Sequence, residues 1–212
     1  MHTEDGSHNH GGLLESTFGL PRGLLGRLGG RLMAFEHRKI YPAVLDALEI
    51  APDESILEIG SGSGAATVLA ARRTPKGFVA AADPSPEMVS QTKRRLHEAI
   101  AAGRAEVVQA GAECLPFADG RFDGAFAVFS FHHWADRGRG LSELLRVLHP
   151  GGRLVIAERL GGHGGRGESE QREKAIDCSL TMLSEAGFAE AECIADELGN
   201  GEPVLIKARR PA

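Results

Sequence analysis

The chain has 212 residues, a net charge of −5 and 42% hydrophobic residues, a balance that suits one substantial domain with its own core. The negative field works against a nucleic-acid partner. No apolar run approaches the roughly 20 residues that cross a bilayer, and the first dozen residues lack the apolar core of a secretory leader, so no membrane span is expected and the cytoplasm is the natural setting. Cys114, Cys178 and Cys193 form no CxxC pair. They are expected to be small buried or half-buried apolar residues, with no disulfide framework and no metal site.

Residues 1–19 read as a polar, disordered tail whose His2, His8 and His10 are solvated. Residues 20–50 read as an N-terminal helical flap or cap segment. Leu20, Leu24, Leu28, Leu32 and Phe35 share one helical face, while Arg22, Arg27, Arg31, Arg38 and Lys39 make the segment basic. Glycines weaken its first half, and a helix is more secure from Arg31 to Leu48. It could pack on a sheet's flank, close over a site or lie on a membrane surface.

Residues 51–212 read as one α/β domain, because short apolar runs alternate with helical stretches. Strands are expected at Ser55–Ile59, Phe78–Ala82, Ala105–Gln109, Phe122–Phe129 and Arg153–Glu158. Helices are expected from about Gly64 to Arg73, Pro86 to Ala101 and Gly140 to Leu148, the last stopped by Pro150-Gly151-Gly152. The glycine-rich 161–167 reads as a mobile connector. A helix over Ser169–Ala186 leads to two closing strands near Ala191–Ile194 and Pro203–Ala208. Asn200-Gly201 supplies turn chemistry between them, which implies an antiparallel hairpin. The expected architecture is a single Rossmann-like domain with a mostly parallel seven-stranded sheet closed by that hairpin.

The chemistry concentrates at Leu57-Glu58-Ile59-Gly60-Ser61-Gly62-Ser63-Gly64. A strand, a glycine-rich turn and a helix start bring backbone N–H groups close to a ligand. Asp83, at the end of the second strand, can accept hydrogen bonds from both ribose hydroxyls. It argues for an adenosine-type cofactor without choosing one, since nicotinamide-binding folds share the feature. Glu58 helps to choose. A carboxylate at the end of an apolar strand is costly unless paired, would repel a pyrophosphate, and suits a cofactor that bears an ammonium and a sulfonium. A structural role for Glu58, held by nearby N–H groups, is the alternative.

This ordered set resembles the class I S-adenosylmethionine-dependent methyltransferases, in their type 11 small-molecule branch. Ala110-Gly-Ala-Glu-Cys-Leu-Pro-Phe117 is similar to the family's adenine-side segment. Phe122 to Trp134 is similar to its fourth strand and exit, and Leu145 to Leu154 to the turn into its fifth strand. The resemblance implies S-adenosylmethionine as cofactor, S-adenosylhomocysteine as product and a small-molecule methyl acceptor. It implies that Gly60, Ser61, Gly62 and Gly64 hold the methionine part with Glu58, and that Asp83 binds the ribose. Pro84 and Met88 would pack near the ribose and adenine, and Ala112 would offer its N–H to the adenine edge. Phe129 and Ser130 would lie beside the methionine moiety. The family commonly has an aspartate where this chain has Gly111. Weaker cofactor binding is therefore expected, with Glu113 as a candidate substitute.

His132 and His133 are the candidate general bases, because they follow the fourth strand and titrate near neutrality. Capping a loop or touching the cofactor is the bland alternative for both. Trp134 could wall an aromatic acceptor or fill the core edge, and His37 and Tyr41 are weaker candidates. Asp119 and Asp123 read as turn residues. Two other readings stay open: a cofactor-binding protein of this fold without activity, and a nicotinamide-dependent oxidoreductase.

Overall fold

A computed structural model describes residues 40–159, 168–195 and 203–212. In chain order these form α1 (Ile40–Ala47), β1 (Ser55–Ile59), α2 (Ala65–Arg73), β2 (Phe78–Asp83), α3 (Pro86–Arg95), α4 (His97–Ala101) and β3 (Ala105–Gln109). There follow β4 (Phe122–Val128), a 3₁₀ turn (Phe131–His133), α5 (Arg137–Val147), β5 (Leu148–Glu158), α6 (Glu168–Glu185), β6 (Ala189–Ala195) and β7 (Val204–Arg209). The tail, the segment up to Lys39, the 161–167 connector and the Asn200-Gly201 turn lie outside the described residues.

The seven strands form one sheet in the order β3-β2-β1-β4-β5-β7-β6. The first five are parallel to their neighbours, and β7 is antiparallel to both β5 and β6. This is the mostly parallel, hairpin-closed sheet expected from the sequence, with β7 inserted between β5 and β6. The direction of winding reverses between β1 and β4. Ligands in open α/β sheets bind outside the carboxyl ends of the strands at such a point.

Alternation along each strand feeds two layers. Leu57, Ile59, Ala125, Ala127, Leu154 and Ile156 pack on one face against Leu141, Leu144 and Leu183. Ile56, Phe126, Val155 and Ala157 pack on the other against Val44 and Leu45 of α1. Each fully buried apolar side chain contributes about 1.5–3 kcal/mol. Helix starts are marked in the sequence: Ser85 Oγ accepts the Met88 N–H ahead of Pro86, and Asp136 Oδ1 accepts the Arg139 N–H at 2.9 Å.

Three local expectations are corrected. The helix expected over Pro86–Ala101 is divided at Leu96, which leaves helical geometry (φ −97°, ψ 10°) with its side chain buried beside Ala81, Val89 and Val107. Pro150-Gly151-Gly152 is not what stops the helix: α5 ends at Val147, and β5 begins at Leu148 and runs through the three residues. Gly151 takes φ +81°, its N–H donates to Arg210 O at 3.0 Å, and Arg210 N–H donates to Gly152 O at 2.8 Å, so the segment is a bulge stitched to the chain after β7. Cys114 and Cys178 are exposed and only Cys193 is half-buried, because Cys114 falls in the turn after β3 and Cys178 on the outer face of α6.

Phe126 is fully buried in the central strand β4. Phe126→Ala is expected to cost about 3–5 kcal/mol and to lower the melting temperature by roughly 6–20 °C, read by calorimetry. A shift under two degrees would contradict the packing described.

Candidate cofactor and acceptor site

The glycine loop leaves β1 in a shape that only small residues permit. Gly60, Gly62 and Gly64 have φ of +71°, +51° and +78°. A Cβ on Gly60 would lie 2.3 Å from Ser130 Cβ, and one on Gly64 would lie 2.7 Å from Thr92 Oγ1. A Cβ on Gly62 would meet nothing within 4 Å, so this glycine faces open space. The loop is pinned by neighbouring elements. Gly60 N–H donates to Ala82 O at 2.8 Å, Ser130 Oγ to Ile59 O at 2.7 Å and Thr92 Oγ1 to Gly62 O at 3.1 Å.

Two carboxyl groups sit under the loop. Asp83 accepts the Gly62 N–H at 2.8 Å and the Ser85 N–H at 2.9 Å. Burial pushes its carboxyl above the usual range, and those N–H donors oppose the shift. Glu58 is 2% exposed and accepts from Thr67 Oγ1 of α2. Burial pushes its carboxyl up to about 8, with Thr67 opposing and the charge of Asp83 adding to the rise. Tyr41 of α1 is buried close enough to feel Glu58. Its hydroxyl is pushed up to about 12 by burial and by that charge, with Arg95 opposing.

The adenine-side segment follows β3, where Ala110 N–H donates to Asp83 O at 3.2 Å. Ala112 is buried. The next turn is held from α5: Glu143 Oε2 accepts the Leu115 N–H at 2.8 Å, and Arg146 donates to Phe117 O at 2.7 Å and Leu115 O at 3.0 Å. Glu113 folds back over Gly111. Its Oε2 lies 2.6 Å from where a Cβ on Gly111 would be, and its Oε1 accepts the Asp136 N–H at 3.2 Å. Met88 is buried at the start of α3 and Pro84 is exposed on the lip above Asp83. Asp119 pairs with Arg146 at 2.7 Å and Asp123 accepts the Ser55 N–H at 2.7 Å.

The other side of the loop is the exit of β4. Phe129 takes φ +52°, which turns the chain so that Ser130 crosses over Gly60 and the two histidines reach the end of β5. His132 Nδ1 lies 2.6 Å from Glu158 Oε2, and its backbone N–H donates to Glu158 Oε1 at 3.3 Å. Glu158 is 2% exposed, whereas the His132 side chain is 46% exposed. The His132 and His133 rings lie 3.9 Å apart between centroids. Burial and His132 hold His133 below the usual histidine range, with Glu158 opposing. Trp134 packs edge-to-face on Phe131 at 5.0 Å and fills the core edge against Gly140.

Glu58, Gly60, Ser61, Gly62, Gly64, Asp83, Phe129 and Ser130 thus gather at the carboxyl ends of β1, β2 and β4. Gly111, Ala112 and Glu113 lie beyond β3. Sequence reasoning missed Thr67, Thr92 and Glu158. Glu158 did carry a signal, since it ends the apolar run Leu154-Val-Ile-Ala157 just as Glu58 ends Ile56-Leu57. The residues present fit a cationic adenosyl cofactor: Ser61 Oγ is buried without a partner among the described residues, Gly62 faces open space, and two buried carboxyl groups flank the loop.

A reversed parallel sheet with an antiparallel close and this loop is a Rossmann-like fold of the kind seen in S-adenosylmethionine-dependent methyltransferases. Residues 57–156 match the family model described as a methyltransferase domain. The chain is 38% identical over 112 residues to a ubiquinone/menaquinone biosynthesis C-methyltransferase of Geotalea daltonii, covering 52% of this chain and 48% of that protein. It is 41% identical over 113 residues to a demethylmenaquinone methyltransferase of Thermus thermophilus, covering 53% and 50%. The chain thus spans about half the length of these relatives. Among solved structures, a SAM-dependent methyltransferase of Aquifex aeolicus superposes with a TM-score of 0.66 at 22% identity, covering 80% of this chain and 88% of that one. A geranyl diphosphate C-methyltransferase of Streptomyces coelicolor, solved with S-adenosyl-L-homocysteine, superposes with a TM-score of 0.64 at 19% identity, covering 82% and 77%. These two likenesses concern the fold.

The folded chain holds the Glu58 proton up to about pH 8, against 4.5 for an ordinary glutamate. Stability contributed by this group is therefore fully present below pH 4.5 and is lost as pH rises through 8. Urea unfolding between pH 5 and 8.5 should show wild type losing stability relative to Glu58→Gln. Parallel profiles for the two proteins would remove the assignment.

Proposed function

We propose that this protein transfers a methyl group from S-adenosylmethionine to a small-molecule acceptor, in the cytoplasm. The observation that supports this reading is the open Gly62 of the loop together with the buried carboxyl groups of Asp83 and Glu58 beneath it. In this reading Asp83 takes the ribose and Glu58 the cationic methionine end. Of the two relatives quoted above, one is named for ubiquinone/menaquinone biosynthesis and the other as a demethylmenaquinone methyltransferase, which supports an acceptor of small-molecule size.

When bound, the cofactor supplies an activated methyl carbon with sulfur as its leaving group. The chain's own residues orient and shield. Asp83 keeps Gly62 N–H engaged and would take the ribose hydroxyls on its remaining lone pairs. The small Gly60 lets Ser130 close the β4 side of the loop. The Ala112 N–H and the Glu113 carboxylate stand on the adenine side, with Pro84 and Met88 near the ribose. His132 and His133 form the rim where an acceptor would enter, so alignment and exclusion of water are the main contributions asked of the fold.

Calorimetry should show micromolar binding of S-adenosylmethionine and S-adenosylhomocysteine and none of NADH. Asp83→Ala is expected to weaken binding by about 10- to 100-fold, the loss of one or two hydrogen bonds to a charged group. Absence of binding by a folded wild-type protein would sink the reading. Because a cation favours ionised Glu58, binding near pH 7 should release a proton, seen as a buffer-dependent heat that Glu58→Gln abolishes.

Gly111 and Glu113 are proposed to share one task, accepting a bond from the adenine amino group. An aspartate at 111 must displace Glu113 Oε2, so Gly111→Asp alone should gain little, and Gly111→Asp with Glu113→Ala should bind tightest. Equal affinities for the single and double variants would separate the two positions.

A further inference from the structure

We propose that Thr92 of α3 is a positioning residue for the cofactor: its hydroxyl fixes the Gly62 carbonyl and so sets the direction in which the glycine loop offers its N–H groups to the methionine end. This rests on the methyl-transfer reading above and adds to it a residue from outside the loop.

The need for such a residue follows from Gly62 itself. A glycine backbone turns more freely than any other, and Gly62 holds φ +51° with nothing within 4 Å of where a Cβ would be. No packed neighbour on that side imposes the angle. Two hydrogen bonds from other elements hold the residue, one at each end. Asp83 Oδ2 accepts its N–H at 2.8 Å, and its carbonyl accepts the Thr92 hydroxyl at 3.1 Å. The first bond orients the peptide unit before the Gly62 Cα. The second orients the unit after it, which carries the Ser63 N–H towards the start of α2.

Thr92 serves the loop rather than its own helix. It is fully buried in the second half of α3. A threonine inside a helix commonly turns its hydroxyl back onto the carbonyl three or four positions earlier. Here the one hydroxyl proton goes to Gly62 O, 30 positions away in sequence. The rest of the side chain fits the same loop. Thr92 Oγ1 and Cγ2 lie 2.7 and 2.8 Å from where a Cβ on Gly64 would be, so hydroxyl and methyl close on two glycines at once. The same helix reaches the loop by a second route, because the Ser85 N–H just ahead of it donates to Asp83 Oδ1 at 2.9 Å. One helix thus steadies both groups that hold Gly62.

Filling space is the plain alternative, and valine, of the same shape without the hydroxyl, would do that as well. The two roles differ in what valine changes. Gly62 faces open space, so its carbonyl can turn to water once the hydroxyl is gone, and little folding free energy is at stake. What disappears is the pre-set direction of the loop, and a ligand must then supply that ordering on binding. The loss falls on the methionine end, which the loop serves, and spares adenosine, which has no such end.

Wild type, Thr92→Val and Thr92→Ser should be compared by calorimetry with S-adenosylhomocysteine and with adenosine, and by amide exchange at Gly62 in the ligand-free proteins. Thr92→Val is expected to bind S-adenosylhomocysteine roughly 3- to 10-fold more weakly, the worth of one hydrogen bond. Its adenosine affinity should be unchanged and its Gly62 amide should exchange faster. Thr92→Ser keeps the hydroxyl and should match wild type in all three. Wild-type affinity for S-adenosylhomocysteine in Thr92→Val, an equal loss for adenosine, or a serine variant as weak as the valine one would overturn the proposal. Should Thr92→Val not fold, proton spectra of wild type decide: a slowly exchanging Thr92 hydroxyl supports the bond, and a freely exchanging one overturns it. Failure of the wild type to bind S-adenosylhomocysteine would instead overturn the methyl-transfer reading, and Gly62 exchange in the variants would still decide whether Thr92 holds the loop.

Discussion

The hydrogen bond from Gly62 N–H to the Asp83 carboxylate, 2.8 Å long, ties the end of β1 to the end of β2 and fixes the loop between them. Without it the loop has no reason to hold three left-handed glycines in sequence. With it, the N–H groups at the uncapped start of α2 keep one direction, and Ser130 finds a surface to cross. The carboxylate also stays outside the sheet's hydrogen-bond ladder, with Oδ2 on the Gly62 N–H and Oδ1 on the Ser85 N–H. A tie of this kind serves structure before any ligand arrives, which is how pre-organisation is usually obtained.

Glu58 and Glu158 extend the same logic to the interior. Each ends an apolar strand, each is almost fully withdrawn from water, and each is kept tolerable by one partner from another element. For Glu58 the partner is Thr67 on α2, a neutral donor, and burial raises the affinity of the carboxyl for its proton. For Glu158 the partner is an imidazole. The two strand ends lie on either side of β4, so two buried carboxyl groups flank one strand.

What could be read in the sequence was what lies close together along it. The strand–glycine–helix pattern at 57–64, the acid at 83 and the alternating elements pointed to the fold and to the residues that gather at the ends of β1 and β2, because each depends on a handful of adjacent residues. The His132–Glu158 pair spans 26 positions, and only the parallel pairing of β4 with β5 makes them neighbours. The break at Leu96 was hidden for a related reason: the helical pattern runs on, and the inward turn is decided by the pocket between β2 and β3. Pro150-Gly151-Gly152 looked like punctuation because its pairing partner, Arg210, lies some 60 residues away. The exposed Cys114 and Cys178 show how little composition says about which side of a turn or helix a small residue takes.

The position of β7 bears on how the molecule is assembled. β6 leaves the ribosome before β7, yet among the described residues it pairs only with β7, and β7 joins it to β5. Until β7 is made, β6 has no strand to pair with and the β5 edge stays open. The five parallel strands can close around Leu57, Ala125 and Leu154 beforehand, and this edge is the last part of the sheet to be sealed. An exposed edge strand is an invitation to pair with another chain, and slow non-local pairing lengthens that exposure. The bulge at Gly151, which locks onto Arg210 just past β7, acts as the latch that ends it.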